Sequence, residues 1–461
     1  MTAVAPPGAP APTIGVPGRT IARQVLWLSY PVLIEQTLLY LVGFSDTLLT
    51  GWFLAVDQLA AVTVASYLLW FLGSLLLIAS AGGTAVVARL VGAGDRPGAN
   101  RLAQQAVALA LLVGVVLGVA GMAGAPAIVR ALGLSGAAAR GAAVYLWVIL
   151  PVTPLVAAQT AGVACLRGAG DTRTGMYVMV LVNALNVGWS WTLVRGLGPF
   201  PALGIAGVAG GTAIAQAVGG LVVLGVLARG RSGLRLTARG LVPRMEDQRR
   251  LLRISLPAAG ESGANSLCQL WFLALINRLG PTATAAHGVA IRCEAIAFLT
   301  IQAFAVAAST LTGQYLGAGR ADLAARSART AWGYGTIALL GLGVVIYVGA
   351  DAMFGLFLRG GRPEVAAMGV PVLRLVAFAM PFLATINVLT GALRGAGDTR
   401  WPLAIVLCGY LVVRMPLTYA LATPAGLGLY GAWLAMLADL AVRGVLIAGR
   451  FLQGGWRASR V

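Results

Sequence analysis

Five carboxylates stand inside long apolar stretches of this 461-residue chain: Glu35, Asp46, Glu261, Glu294 and Asp439. A charge at the middle of a bilayer costs about 2.5–3.5 kcal/mol on insertion scales, so each such acid is a functional candidate by default. Asp46 lies near the outer end of the first stretch. Burial disfavours the charged form of a carboxylate, so an acid in that place can load and release a proton near neutral pH. Held ionised among oxygen neighbours it can instead hold Na⁺, and at an interface it simply faces water. Glu35 precedes Asp46 by eleven residues, which on a helix is about 16 Å of rise and nearly the same face. The two acids can line one path at two depths, or Glu35 can anchor helix packing. Glu261 reads equally as a structural acid or one facing a cavity. Glu294 is placed to meet a cationic compound or to pair with another helix; Arg292, two residues away, points elsewhere. Asp439 and Arg443, spaced i, i+4, read as a structural pair.

Uncharged polar groups gather in the fifth stretch. Asn183 and Asn186 share a face and Ser190 follows one turn later. Amides there can hydrogen-bond an acid such as Asp46, or tie helices together; Thr212 in the sixth stretch is a similar candidate. His287, the single histidine, reads as a structural hydrogen-bond partner. One histidine is too few for most intramembrane metal enzymes, which use several imidazole ligands. The cysteines Cys165, Cys268, Cys293 and Cys408 form no CxxC pair, so no metal site or disulfide framework is implied. No GxSxG, Walker A or GxGxxG context appears. No enzyme chemistry and no cofactor is expected, and transport would draw on a gradient rather than on ATP.

The elements that position these groups follow from composition. The chain is 59% hydrophobic and 10% charged, with a mean hydropathy of +0.87, whereas soluble domains carry about 25% charged residues. Spanning a bilayer takes about 20 apolar residues, and backbone in lipid satisfies itself only in helices or closed barrels. The apolar runs are too long and uniform for barrel strands. They predict twelve spans, at 24–49, 59–81, 102–123, 140–165, 175–196, 203–228, 250–277, 285–310, 326–349, 369–393, 401–422 and 428–453. The net charge of +19 is spread between the apolar runs rather than collected in a patch, so no nucleic-acid partner is expected. The termini and even-numbered loops, with the helix ends beside them, hold 24 Arg against 6 on the opposite side, which predicts cytoplasmic termini.

Leu166–Arg173 reads LRGAGDTR and Leu393–Arg400 repeats it at a shift of 227. Pro31 and Glu35 match Pro257 and Glu261 at 226, the GAG of Gly92–Gly94 matches Gly317–Gly319 at 225, and Gly204 and Gly207 match Gly428 and Gly431 at 224. The chain therefore reads as a duplicated six-helix unit. Six is even, so the halves share an orientation and form a parallel repeat, with a substrate site expected between them. The domains are a disordered cytoplasmic N-terminus over 1–20, a six-helix lobe over 21–228, a cytoplasmic linker over 229–250 and a second lobe with the tail over 251–461. The LRGAGDTR turns read as hinges or helix caps, through Asp171 and Asp398.

Together these motifs resemble the MATE (multidrug and toxic compound extrusion) family of the multidrug/oligosaccharidyl-lipid/polysaccharide flippase superfamily. Pro31, Glu35, Asp46-Thr47 and Gly51 stand as in its first helix, Pro257 and Glu261 as in its seventh, and Ala285-Ala286-His287 opens the eighth in its manner. Gly313-Gln314 to Gly319 and both LRGAGDTR turns fit as well. The resemblance implies an all-α membrane protein, two six-helix bundles in a V around a central cavity. It implies antiport of H⁺ or Na⁺ against organic, often cationic and aromatic, compounds, with the acid at Asp46 coupling the ion. In the proton-coupled DinF-like branch the fifth helix adds an Asn and an Asp four residues later, and the sixth a Thr. Asn186 and Thr212 match, but Ser190 stands where the Asp would be. The sodium-type site of the second lobe uses an acid in helix 10, and 365–393 holds none, which favours H⁺. The partners expected are a small organic substrate, the coupling cation and the lipid of a bacterial inner membrane, with the chain a monomer. A lipid-linked saccharide flippase is the alternative within the superfamily. A channel would need a symmetric selectivity element, which is not visible.

Overall fold

The computed structural model describes residues 20–132, 134–358 and 361–459. The segment expected to be disordered, save Thr20, and Arg359 and Arg460 of the charge count lie outside the described residues. Twelve long helices form where the hydropathy predicts them: α1 Ile21–Phe53, α2 Val56–Gly92, α3 Arg96–Ala131, α4 Gly136–Gly168, α5 Arg173–Arg195, α6 Ile205–Ala228, α7 Met245–Arg278, α8 Pro281–Gly317, α9 Ala321–Leu358, α10 Pro363–Gly395, α11 Arg400–Ala422 and α12 Gly428–Gln453. Eleven are long and apolar enough to cross a membrane. The remaining one, α7, has the length, but Ser, Asn, Gln and Glu261 dilute its hydropathy. Two helices depart from α geometry inside their span. α4 tightens at Leu150–Val152, beside Pro151 and Pro154, and α11 widens to a π-turn over Gly409–Arg414.

The GAG motifs explain one end of the bundle. Gly170 and Gly397 sit at φ +92° and +85°, a left-handed conformation that glycine adopts at little cost. In both turns the Asp N–H returns to a carbonyl five residues back, Asp171 to Leu166 and Asp398 to Leu393, each at 2.8 Å. Gly94 and Gly319 repeat the geometry after α2 and α8. Four helices thus end in the same glycine cap.

Each LRGAGDTR turn is also an electrostatic clasp. Arg167 pairs with Glu35 at 2.7 Å, and its repeat mate Arg394 pairs with Glu261 at 2.9 Å. Asp171 holds Arg231 at 2.9 Å, and Asp398 holds Arg450 at 2.7 Å. Asp171 also accepts the Thr174 N–H at 3.0 Å. Burial opposes ionisation of Asp171, but the bonds from Arg231 and Thr174 outweigh it and hold its carboxyl below the ordinary range. In each half the motif ties the first helix to the fourth and to the end of the sixth. Glu35→Gln would strand Arg167, whose side chain is 16% exposed, and breaking a buried pair costs about 3–5 kcal/mol. We expect Glu35→Gln to lower the unfolding temperature in detergent, and Glu35→Gln/Arg167→Gln to recover part of the loss. An unchanged unfolding temperature in the single variant would remove the clasp.

The two halves meet at the LRGAGDTR end. Gly82 N–H donates to Ser255 Oγ (2.8 Å), Thr310 Oγ1 to the Arg167 carbonyl (3.1 Å), Gln314 Nε2 to the Gly168 carbonyl (2.9 Å) and Arg89 Nη1 to the Ala396 carbonyl (3.2 Å). α1 begins within the second half's core, where Val25 and Leu28 are buried. Residues 238–248 lie along α3, where Gln105 bonds the Gly240 and Val242 carbonyls, each at 2.8 Å.

Candidate functional site

Asp46 is 1% exposed, two turns before the far end of α1. Three helices send donors to it. Tyr145 of α4 donates its hydroxyl to Oδ2 at 2.6 Å, and Asn186 of α5 donates Nδ2 to Oδ1 at 3.1 Å. Thr212 of α6 lies 2.9 and 2.7 Å from the two oxygens. Asn186 Nδ2 also reaches Thr212 Oγ1 at 2.7 Å. Within α1 the Thr50 hydroxyl donates to the Asp46 carbonyl at 2.7 Å.

Glycines let α5 and α6 come this close. A Cβ on Gly211 would lie 2.2 Å from Ser190 Oγ, and one on Gly207 would lie 2.7 Å from Leu193 backbone. Small residues at such crossings are how membrane helices approach. Without that approach the Thr212 hydroxyl could not reach the carboxylate.

Of the residues expected from sequence, Asp46, Asn186 and Thr212 meet directly. Ser190 stands behind them, 3.5 Å from Asn186 Nδ2 and donating to the Val208 carbonyl at 3.2 Å. Asn183 does not join. Its amide donates to the Leu38 and Met179 carbonyls at 3.0 and 2.9 Å, tying α5 to α1. Glu35 does not join either, since Arg167 holds it, so the two acids of α1 serve separate networks rather than one path. Glu261 is likewise held by Arg394, while Glu294 is half-buried on α8. Asp439 and Arg443 pair at 2.6 Å as their spacing predicts. The hydrogen bond expected of His287 is not made at Nδ1; its ring lies between Phe272 and Trp433.

Tyr145 was missed by sequence reasoning. Its signal was a tyrosine buried mid-helix, 1% exposed, where membrane tyrosines gather at interfaces. A hydrogen bond to a charged group contributes about 1.5–3 kcal/mol. Tyr145→Phe should therefore slow ion-driven transport by about tenfold or more, with a modest fall in unfolding temperature. Wild-type transport in that variant would make the tyrosine incidental.

The chemistry follows from the donor set. Tyr145 and Thr212 carry hydroxyls, which donate to a carboxylate and accept from a carboxylic acid. Asn186 Nδ2 only donates. A proton arriving on Asp46 is thus tolerated by α4 and α6, but weakens the tie to α5. The site can read the charge of one carboxylate as a change in helix contacts.

Twelve helices in two repeats, joined at one end and carrying in the first half a buried carboxylate held by donors from three other helices, define a two-lobed membrane transporter. The MatE family profile matches residues 31–192 and 257–420. A Thermotoga maritima protein described as the probable multidrug resistance protein NorM is 30% identical over 444 residues, covering 96% of this chain and 94% of its own. The probable NorM of Deinococcus radiodurans is 30% identical over 457 residues, covering 96% and 97%. The solved outward-facing conformation of a multidrug resistance MATE family transporter shares the fold, with a TM-score of 0.88 at 21% identity over 96% of this chain and 98% of that one. The chain belongs to the MATE family of multidrug and toxic compound extrusion transporters.

Proposed function

We propose that this transporter exports small organic compounds, amphipathic cations among them, in exchange for protons carried by Asp46. The observation behind the proton is that hydrogen-bond donors reach both oxygens of that carboxylate, from Tyr145, Asn186 and Thr212. A proton needs only a turn of a hydroxyl. A sodium ion would need Tyr145, Thr212 and Asn186 all to turn their oxygens towards it. The protein sits in the bacterial inner membrane with both termini in the cytoplasm. The arginine asymmetry supports this orientation, as does a cavity of about 520 Å³ at the LRGAGDTR end, lined by Arg249, Arg250, Arg253 and Arg400. Such basic pockets suit the anionic cytoplasmic leaflet.

The test uses purified protein in proteoliposomes and a fluorescent aromatic cation. A pH gradient should drive its movement, and a Na⁺ gradient at equal pH should not. Movement under Na⁺ alone would replace the proton in this scheme. Movement under neither would turn the reading towards a narrower substrate or a lipid.

A further inference from the structure

The second half carries no acid at the place of Asp46. At the shift of 226 that relates Glu35 to Glu261, Asp46 falls on Phe272. The π-turn over Gly409–Arg414 adds one residue to the register of α11. By its last residue the shift of 227 has become 228, so Asn186 falls on Arg414 and Ser190 on Thr418. The contact survives with its chemistry exchanged: the Arg414 guanidinium lies over the Phe272 ring, 4.6 Å from its centroid. An acid and an amide in one lobe correspond to an aromatic ring and a guanidinium in the other.

Arg414 is 2% exposed. Its Nη2 donates to Gln269 Oε1 at 3.0 Å, its Nε has no partner, and among the described residues it has no ion pair. Three further buried polar atoms nearby have no partner: His287 Nδ1, Trp433 Nε1 and Thr418 Oγ1. The His287 ring stands 5.7 Å from Phe272 and 5.5 Å from Trp433, and Thr418 is one helical turn past Arg414. Guanidinium and indole N–H groups only donate, and a hydroxyl or imidazole can donate. Buried donors without acceptors cost about 1–3 kcal/mol each, and an anion would satisfy several at once.

Among the described residues, the acids around the cluster leave Arg414 without an ion pair. Asp439 is taken by Arg443, which also donates to the Tyr410 hydroxyl at 3.3 Å. Glu294, two turns beyond His287 on α8, feels the charge of Arg414 without pairing with it. Arg292 is exposed. Asn265, Gln269 and Glu294 are half-buried, so Arg414 lies one side chain beneath an accessible edge.

We propose that the second lobe holds an anion site centred on Arg414, with His287, Trp433 and Thr418 completing it, for a halide or a carboxylate. The carboxylate would belong to a zwitterionic substrate, a reading that rests on the export proposed above; a free halide would not depend on it. The two sources separate in one set of measurements on the full-length protein. Thermal unfolding is followed as chloride replaces methanesulfonate, which is neither a halide nor a carboxylate, at constant ionic strength. Uptake of an aromatic zwitterion bearing one carboxylate is compared with uptake of its methyl ester.

Chloride should raise the unfolding temperature of the wild type and not of Arg414→Gln. Glu294→Gln, which removes a carboxylate that feels the charge of Arg414, should tighten chloride by about tenfold, and it keeps the test open if Arg414→Gln does not fold. If the substrate supplies the anion, the acid-to-ester uptake ratio is above one in the wild type and falls in Arg414→Gln. A chloride response with no acid preference assigns the site to the free ion. Absence of both effects in the wild type, or a chloride response that survives Arg414→Gln, overturns the site. A quaternary ammonium compound without an acid group serves as control: its failure to move would sink the export reading and leave the chloride arm standing.

Discussion

Gradient-driven uptake of an aromatic cation is expected to fall to the level of empty vesicles when Asp46 is replaced by Asn. The substitution keeps the shape of the side chain and removes its ability to change charge. Tyr145 and Thr212 can still donate to the amide oxygen, so most of the network that joins α1, α4 and α6 remains. Asn186 meets a second amide and can turn to suit it, at a cost of about 1–3 kcal/mol if one group stays unsatisfied. The folded protein survives, but the cycle loses the step that exchanges a cation. A transporter that cannot bind its driving ion has no differential affinity between its two states to exploit. Substrate binding measured without a gradient should persist, and this separates lost coupling from a lost site. Wild-type uptake in this variant would take the coupling role away from Asp46.

The fold was legible because lipid leaves few choices. Apolar length placed the helices, and the repeated octapeptide set the halves in parallel. α7 was legible both as an apolar run and through its repeat mate, since Pro257 and Glu261 mark it as the counterpart of α1. The site was legible only in part. Asp46, Asn186 and Thr212 are polar groups in apolar surroundings, which is a strong local signal. Tyr145 gave a weak one, because tyrosine is at home in a membrane protein. Asn183 and Asn186 differ by three positions, and the offset between those directions turns one towards α1 backbone and the other towards the acid. Glu35 took the second of its two readings, the anchor of helix packing, and spacing alone could not choose between them for a related reason. Helical spacing states which residues share a face, but not which helix supplies the partner, and Arg167 arrives from the end of α4. Pairings of this kind are set by tertiary packing. The arginine of an apparent turn motif proved to be the counterion of an acid in the first helix, in both halves.

Gly317→Ala is expected to open the end where the halves meet. α2 and α8 touch there backbone to backbone. A Cβ on Gly317 would stand 1.9 Å from the Arg89 carbonyl oxygen, and one on its repeat mate Gly92 would stand 1.9 Å from the Gln314 carbonyl oxygen. Both obstacles are backbone, so no side chain can swing aside. Gln314 and Arg89 also carry bonds that join the halves, to the Gly168 and Ala396 carbonyls. A methyl group at either glycine therefore pushes apart the surface that these bonds close. Overpacking costs about 1–3 kcal/mol, and roughly 1.4 kcal/mol is a tenfold change in a two-state ratio. The conformer joined at this end should lose about tenfold or more in population, while each lobe keeps its own core. Spin labels at the exposed positions Arg96 and Asp322, in a background without the exposed Cys408, would report the separation. The wild type should give one short distance, and Gly317→Ala and Gly92→Ala a longer or broader distribution with slowed transport. Both variants act from opposite helices on one contact, so they should give the same shift. An unchanged distribution in both would mean that the halves are held together elsewhere than at the crossing of α2 and α8.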